Sequence, residues 1–288
     1  MTTLRLVLRQ HRFIVVSVAL IAVGLAVAAL VVAWQLAAVT SPGHCIEDRF
    51  LDPMPAECAS METFLQRNEE WAGKVMAAMA ILPLVAGVLL GVPLVGSEIE
   101  TRTATIAWSL GPSRRRWLLV RLAILGVGLA AVLALPALAA DVLEAQRPPN
   151  YDPATATLVD FGLRGPVVVA RGLAVFAIGV GCGLVLGRQL PAVIVAGLAA
   201  IVWFNLVSGL AYEGWPKEET FTPRQDQYVV QTGAVDVTPL TKDAPIEIVG
   251  IPGEKLAFVE PREVAIDLGL TVLLLGAAVV GIERRRPA

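Results

Sequence analysis

The stretch "FIVVSVALIAVGLAVAALVVAWQLAAV", residues 13–39, contains 27 consecutive residues without a charged side chain. A helix needs about 20 apolar residues to cross the hydrocarbon core of a bilayer. The apolar region of a signal peptide is shorter, at about 7–15 residues. The stretch therefore predicts a retained transmembrane helix.

Five further apolar runs follow along the 288-residue chain, of which 56% is hydrophobic. Its mean hydropathy of +0.69 is typical of a membrane protein. We predict an all-α polytopic membrane protein with spans at 13–39, 75–97, 117–140, 165–187, 189–212 and 264–282. The intervening parts are an N-terminal segment (1–12), outer loops (40–74 and 141–164), an inner segment (98–116), an outer cap (213–263) and a tail (283–288).

The charges predict the orientation of these spans. With both termini inside, 38 inner residues carry 11 Lys or Arg, whereas 110 outer residues carry only 10 together with 21 acidic residues. Basic residues concentrate on the cytoplasmic side of membrane proteins. We therefore expect a multi-pass protein of the plasma membrane with both termini in the cytoplasm.

The outer segments carry two further predictions. Cys45 and Cys58 lie in one outer loop, where they form a disulfide unless they are two unrelated thiols. In 213–263, the stretches "QYVVQTG", "PIEIVGI" and "KLAFVEP" have the composition of strands between Gly and Pro turns. They predict a small β-rich cap, with a disordered acidic loop as the alternative.

Two inner segments have a helical pattern. In residues 1–12, apolar residues alternate with arginines, which suits either an interfacial helix or a simple basic anchor. In "GSEIETRTATIAWSLGPSRRRW", residues 96–117, Ser97 and Glu100 fit a capping box, and Gly111-Pro112 fits a helix end. Ser113 is placed to cap the next helix, which opens with three arginines. The segment 98–116 is thus predicted to contain a short amphipathic helix, although the arginines by themselves are typical of a topology anchor.

The stretch "SEIETRTATIAWSLGPSRRRWLLVRL", residues 97–122, resembles the connection between the second and third spans of type-2 ABC transporter permeases, especially actinobacterial ones. The resemblance implies six spans per subunit, assembly with a second copy, and a coupling helix that docks on a separate ABC ATPase. Carried over onto this chain, the coupling residues are Glu98, Glu100, Arg102, Ile106, Trp108, Arg114, Arg115 and Arg116.

Several kinds of chemistry are missing from the sequence. It has no G-x-x-x-x-G-K-[ST] motif, so ATP and Mg²⁺ are expected on the partner ATPase and no cofactor on this chain. It also has no H-E-x-x-H motif and no His/Cys cluster for a metal. A membrane enzyme is therefore the least favoured functional hypothesis, and we expect no nucleic-acid partner. Arg171 and Asp267 are ionisable residues within spans, and they either pair or snorkel separately to the interface.

We accordingly expect the permease subunit of an ATP-driven exporter. The lack of polar residues in its spans hints at an amphipathic or lipid-like substrate. The alternative is a non-transporting polytopic immunity or sensor protein that binds a ligand or partner through its outer loops.

Overall fold

The computed structural model describes residues 7, 9–38, 56–101, 113–144, 146, 165–213, 219–221, 229–230, 248–252 and 256–284. A 3₁₀ turn (Ala56–Cys58) and a π-helical turn (Asn68–Ala72) flank a short helix before the second long one. The helices are α1 (Arg12–Ala37), α2 (Ala59–Arg67), α3 (Gly73–Glu100), α4 (Arg114–Glu144), α5 (Gly165–Leu186), α6 (Gln189–Glu213) and α7 (Leu256–Arg284).

The six long helices confirm the prediction of six spans. Each contains a segment that is long and apolar enough to cross a membrane. The helices alternate in direction, so the start of α1 and the end of α7 lie at the same end of the bundle. We call this end, with Glu100, Arg114 and Gln189, the terminal face, and the other end the opposite face.

The prediction of a β-rich outer cap is wrong, because helices dominate the described architecture. The described residues of 213–263 include only three short strands, β1 (Glu219–Phe221), β2 (Val229–Val230) and β3 (Ile248–Pro252). The strand β3 lies between the other two and pairs antiparallel with both. The third predicted strand, 255–261, instead falls almost entirely within α7. A short apolar run does not by itself distinguish a strand from the start of a helix.

The end of α3 also differs from the prediction. Ser97 does not begin a new helix, since α3 continues to Glu100. The Ser97 hydroxyl donates to the Pro93 carbonyl at 2.5 Å, the back-bond of a serine inside a helix. By contrast, Ser113 caps α4 as predicted, because its Oγ accepts a hydrogen bond from the Arg116 backbone N–H at 3.2 Å.

The helix α5 lies at the centre of the bundle. In the most apolar 18-residue stretch of α5, 72% of the residues are buried, compared with 17% in the corresponding stretch of α1. Two of its glycines lie directly against α3. A Cβ added at Gly179 would lie 3.2 Å from the Gly91 Cα, and one at Gly183 would lie 2.6 Å from the Val92 carbonyl oxygen. Close backbone packing of this kind is how membrane helices associate without a hydrophobic driving force.

The connection between α5 and α6 is a tight turn at the terminal face. Only two residues separate the helices, and Gly187 has a φ of +63°. This left-handed conformation is readily available only to glycine. The turn makes α5 and α6 antiparallel neighbours, as their short connection predicts.

The helix α1 lies at the edge of the bundle, against α3 and α4. An apolar groove of about 410 Å³ lies between α1 and α3, and a second of about 320 Å³ lies between α1 and α4. Large apolar side chains such as Phe13, Leu20 and Trp34 are more than half exposed on its outer side. This surface is suited to lipid or to another membrane helix.

Candidate functional site

A polar cluster around a buried ion pair joins three elements at the terminal face. Glu98, near the end of α3, is 4% exposed, and Arg121, in the second turn of α4, is 7% exposed. The guanidinium of Arg121 donates from Nη1 to Glu98 Oε1 and from Nη2 to Gln10 Oε1, the latter at 3.1 Å. Gln10 Nε2 in turn donates to Glu98 Oε1 at 2.7 Å. We call these three residues the Glu98 cluster.

Local helix geometry holds Arg121 in place. Its guanidinium lies 4.2 Å from the centroid of the Trp117 ring, one helical turn earlier. Residues four apart lie on the same side of a helix, and an indole face attracts a cation. A buried ion pair needs such additional contacts, because desolvation of the two charges offsets much of their attraction. The Glu98 cluster therefore has the partners that a stable buried pair requires.

His11 lies beside this cluster, immediately before α1. It is 5% exposed, and its Nε2 has no hydrogen-bond partner among the residues that the structure describes. Burial lowers the pKa of His11 below its ordinary value of 6.5, and the positive charge of Arg121 lowers it further, while Glu98 acts in the opposite direction. The surroundings thus favour the neutral imidazole.

The remaining predicted coupling residues occupy different environments. Glu100 accepts a hydrogen bond at 2.9 Å from the Gln189 backbone N–H, so its carboxylate caps the start of α6. Arg115 and Arg116 are exposed in the first turn of α4, and Arg114 is partly exposed. Arg102, Ile106 and Trp108 lie outside the described residues.

The exposed arginines contribute little to the stability of α4. The N-terminus of a helix carries a partial positive charge and is stabilised by acidic rather than basic residues. The positive charges of Arg115 and Arg116 are thus repelled by the partial positive charge at the start of α4. Their position suits an anionic contact outside the chain, from a lipid headgroup or from a partner protein.

A second polar cluster lies toward the opposite face, between α5, α6 and α7. Arg171 Nη2 donates to Glu263 Oε1, and the two side chains are 12% and 2% exposed. The guanidinium also lies 5.2 Å from the centroid of the Phe204 ring. Asp267, which is 1% exposed, accepts a hydrogen bond from Trp203 Nε1 at 2.8 Å. We call this group the Arg171 cluster.

The Arg171 cluster changes the predicted pairing. Arg171 and Asp267 were expected either to pair or to snorkel separately, but the structure describes an ion pair of Arg171 with Glu263, one turn before Asp267 in α7. The difference arises because the predicted last span begins at residue 264 and so leaves Glu263 in the outer cap. No group of three or more His, Cys, Asp or Glu side chains that could bind a metal occurs among the described residues.

The predicted disulfide stays a prediction. Cys45 lies outside the described residues, and Cys58 is fully buried at the end of a 3₁₀ turn. Cys182, in α5, is a free thiol and is partly buried.

Sequence reasoning missed several partners in both clusters. Arg121 and Gln10 are far from Glu98 in sequence, and only the spacing of Trp117 and Arg121 hinted at a buried guanidinium. Glu263 and Asp267 stand four residues apart, which places both carboxylates on one helix face. That spacing was a usable signal once the last helix was extended toward its N-terminus.

The comparison with protein families identifies the chain. A family model described as "ABC-2 membrane transporter related" matches residues 15–211, which is more than half of the sequence. Neither a curated protein nor a solved structure matches the chain. The matched residues include α1 and α3–α5, most of α6 and the whole of the connection between α3 and α4. The chain therefore belongs to the ABC-2 membrane transporter related family.

Proposed function

We propose that this chain is the membrane subunit of an ATP-driven exporter in the plasma membrane. The family match carries this proposal, because it describes a membrane transporter over the region that contains five of the six spans. The sequence has no P-loop motif, so ATP hydrolysis is assigned to a separate ATPase subunit. Two copies of the chain enclose the path, and both termini lie in the cytoplasm.

The ATPase docks on the connection between α3 and α4. This connection leaves the terminal face between two long helices, so a force applied to it acts on both. Arg115 and Arg116 stand exposed at its end and provide a basic rim. Charged groups around a docking surface favour the correct partner and speed its association. Glu98 belongs to the interior of this region, where it holds the helix ends together.

The substrate is amphipathic or lipid-like. The groove between α1 and α3 is lined almost entirely by apolar side chains, among which Ser17 is the polar exception. It opens at the side of the bundle, where the apolar surface faces the bilayer. A groove with this lining would accept an acyl chain or a similar apolar moiety.

Co-purification tests the proposal. The chain is co-expressed with a candidate P-loop ATPase from the same genome and purified in a mild detergent. We expect the wild type to retain the ATPase, and the double variant Arg115→Glu/Arg116→Glu to lose most of it. Arg284→Glu is the matched control, because Arg284 is an exposed arginine in the last turn of α7 at the same face.

Comparison of the variants distinguishes three interpretations of ATPase recruitment. Retention by Arg284→Glu together with loss by the double variant supports docking at the start of α4. Equal loss in both would mean that net charge at the face, rather than this site, recruits the ATPase. A wild type that recruits no ATPase would contradict the exporter and favour the non-transporting immunity or sensor protein.

A further inference from the structure

The Glu98 cluster links the start of α1 to the two helices that carry the proposed docking connection. Glu98 lies two residues before the end of α3, and Arg121 lies in the second turn of α4. Gln10 precedes α1 and hydrogen bonds to both of them.

The ion pair of this cluster is buried, whereas Gln10 is exposed. Glu98 and Arg121 are both less than one-tenth exposed, so their charges cannot form the surface on which a partner docks. Their hydrogen bonds are directed at each other and at Gln10. The cluster thus fixes the relative positions of three helix ends and leaves the contact with a partner to other residues.

Because α1 lies at the edge of the bundle, a polar link at its start affects the position of this helix. The helix has few buried residues along its length, packs against α3 and α4 through apolar side chains, and has an apolar groove beside each of them. Apolar contacts along a membrane helix are poorly directional, because lipid offers a similar environment. A directional hydrogen bond at one end therefore adds to this packing a contact that fixes the position of the start of α1.

We propose that Glu98 and Arg121 form a clamp that holds Gln10, so that movement of the docking connection is passed to α1 as well as to α3 and α4. This inference rests on the proposed function, and it assigns Gln10, Glu98 and Arg121 as positioning residues for the coupling of ATP hydrolysis to the spans. The ATPase contacts the connection, and the clamp extends its displacement to the edge helix and its grooves.

Gln10→Met is the sharpest perturbation. It keeps a side chain of similar length and removes both hydrogen bonds from Gln10, while leaving the buried pair of Glu98 and Arg121 intact. The control is Arg9→Gln, an exposed residue next to it in the same segment. Both variants are prepared with the ATPase in nanodiscs, and three quantities are measured: the amount of ATPase retained, its rate of ATP hydrolysis, and hydrogen exchange of residues 9–20.

We expect Gln10→Met to retain the ATPase at the wild-type level. Its ATP hydrolysis should fall by about fivefold or more, the usual lower bound for coupling between two sites. Hydrogen exchange at the start of α1 should increase, whereas Arg9→Gln should match the wild type in all three measurements. A role in general stability would instead lower the amount of folded complex and leave the rate per complex unchanged.

The outcomes distinguish this inference from the proposed function. A wild type that binds no ATPase overturns the proposed function, and the inference with it. Normal recruitment with hydrolysis equal to that of Arg9→Gln overturns the clamp and leaves the docking proposal intact. Loss of the ATPase from Gln10→Met also overturns the clamp, because it would make the N-terminal segment a docking contact.

Discussion

Replacing Gly183 by alanine should separate the two helices at the centre of the bundle. A Cβ at this position would lie 2.6 Å from the Val92 carbonyl oxygen and 3.3 Å from the Gly96 backbone nitrogen. Both atoms belong to the backbone of α3, so no flexible side chain can move aside. Ordinary contact begins at 3.4 Å, and the helices would therefore have to separate by about 0.8 Å here.

The size of the effect follows from this overlap. Inserting a carbon into a well-packed interior typically costs about 1–3 kcal/mol. Alanine also favours the helix over glycine by about 1 kcal/mol, which partly offsets the cost. Gly181→Ala is the matched control, because it lies two residues away in the same helix and a Cβ there meets nothing within 4 Å. The helix preference is common to both variants, so their difference isolates the contact.

The assay is thermal unfolding of the detergent-purified variants, followed by their apparent melting temperatures. A difference of about 1–3 kcal/mol corresponds to roughly 2–12 °C at about 2–4 °C per kcal/mol. We expect Gly183→Ala to melt lower than Gly181→Ala by an amount in this range. Equal melting temperatures would refute the close packing of α5 against α3.

The buried polar groups allow three other predictions. Glu263→Gln removes the carboxylate charge from Arg171 and should destabilise the protein by about 3–5 kcal/mol; an unchanged melting temperature would contradict the pair. Trp203→Phe removes the N–H donor to Asp267, which should cost about 1–3 kcal/mol in the same assay. Because the pKa of His11 is lowered in the folded protein, the unfolded chain binds the proton more tightly, and stability should fall as the pH drops below about 6.5. His11→Gln should flatten that part of the pH profile, and a profile unchanged from the wild type would contradict the assignment.

The helical bundle could be predicted because its signal is local. An uncharged run such as 13–39 identifies a span by its length alone, and the tight turn before α6 follows from the single residue, Arg188, between the adjacent predicted spans. Ser113 was likewise predictable, because capping depends on the next three residues. The three short strands and the early start of α7 were harder, since residues 255–261 are compatible with either secondary structure.

The role of Glu98 could not be obtained from the sequence. Its position in a coupling-like motif suggested an exposed docking residue, whereas the structure places it inside, bound to Arg121. That contact joins residues 23 positions apart across two helices, and no local pattern encodes it. Glu263 and Asp267 share one helix face, so the sequence alone does not show which of them contacts Arg171. Tertiary packing places Glu263 against it.

The most direct test of the central claim is site-specific photocrosslinking from the connection between α3 and α4. A photoreactive amino acid replaces Trp108 in the connection or, as a control, Trp34, which is exposed near the other end of α1. Each variant is co-expressed with the candidate ATPase, irradiated in membranes and analysed for crosslinked subunits. We expect a crosslink to the ATPase from position 108 and none from position 34. Absence of an ATPase crosslink at position 108, in a complex that co-purifies intact, would contradict docking on this connection.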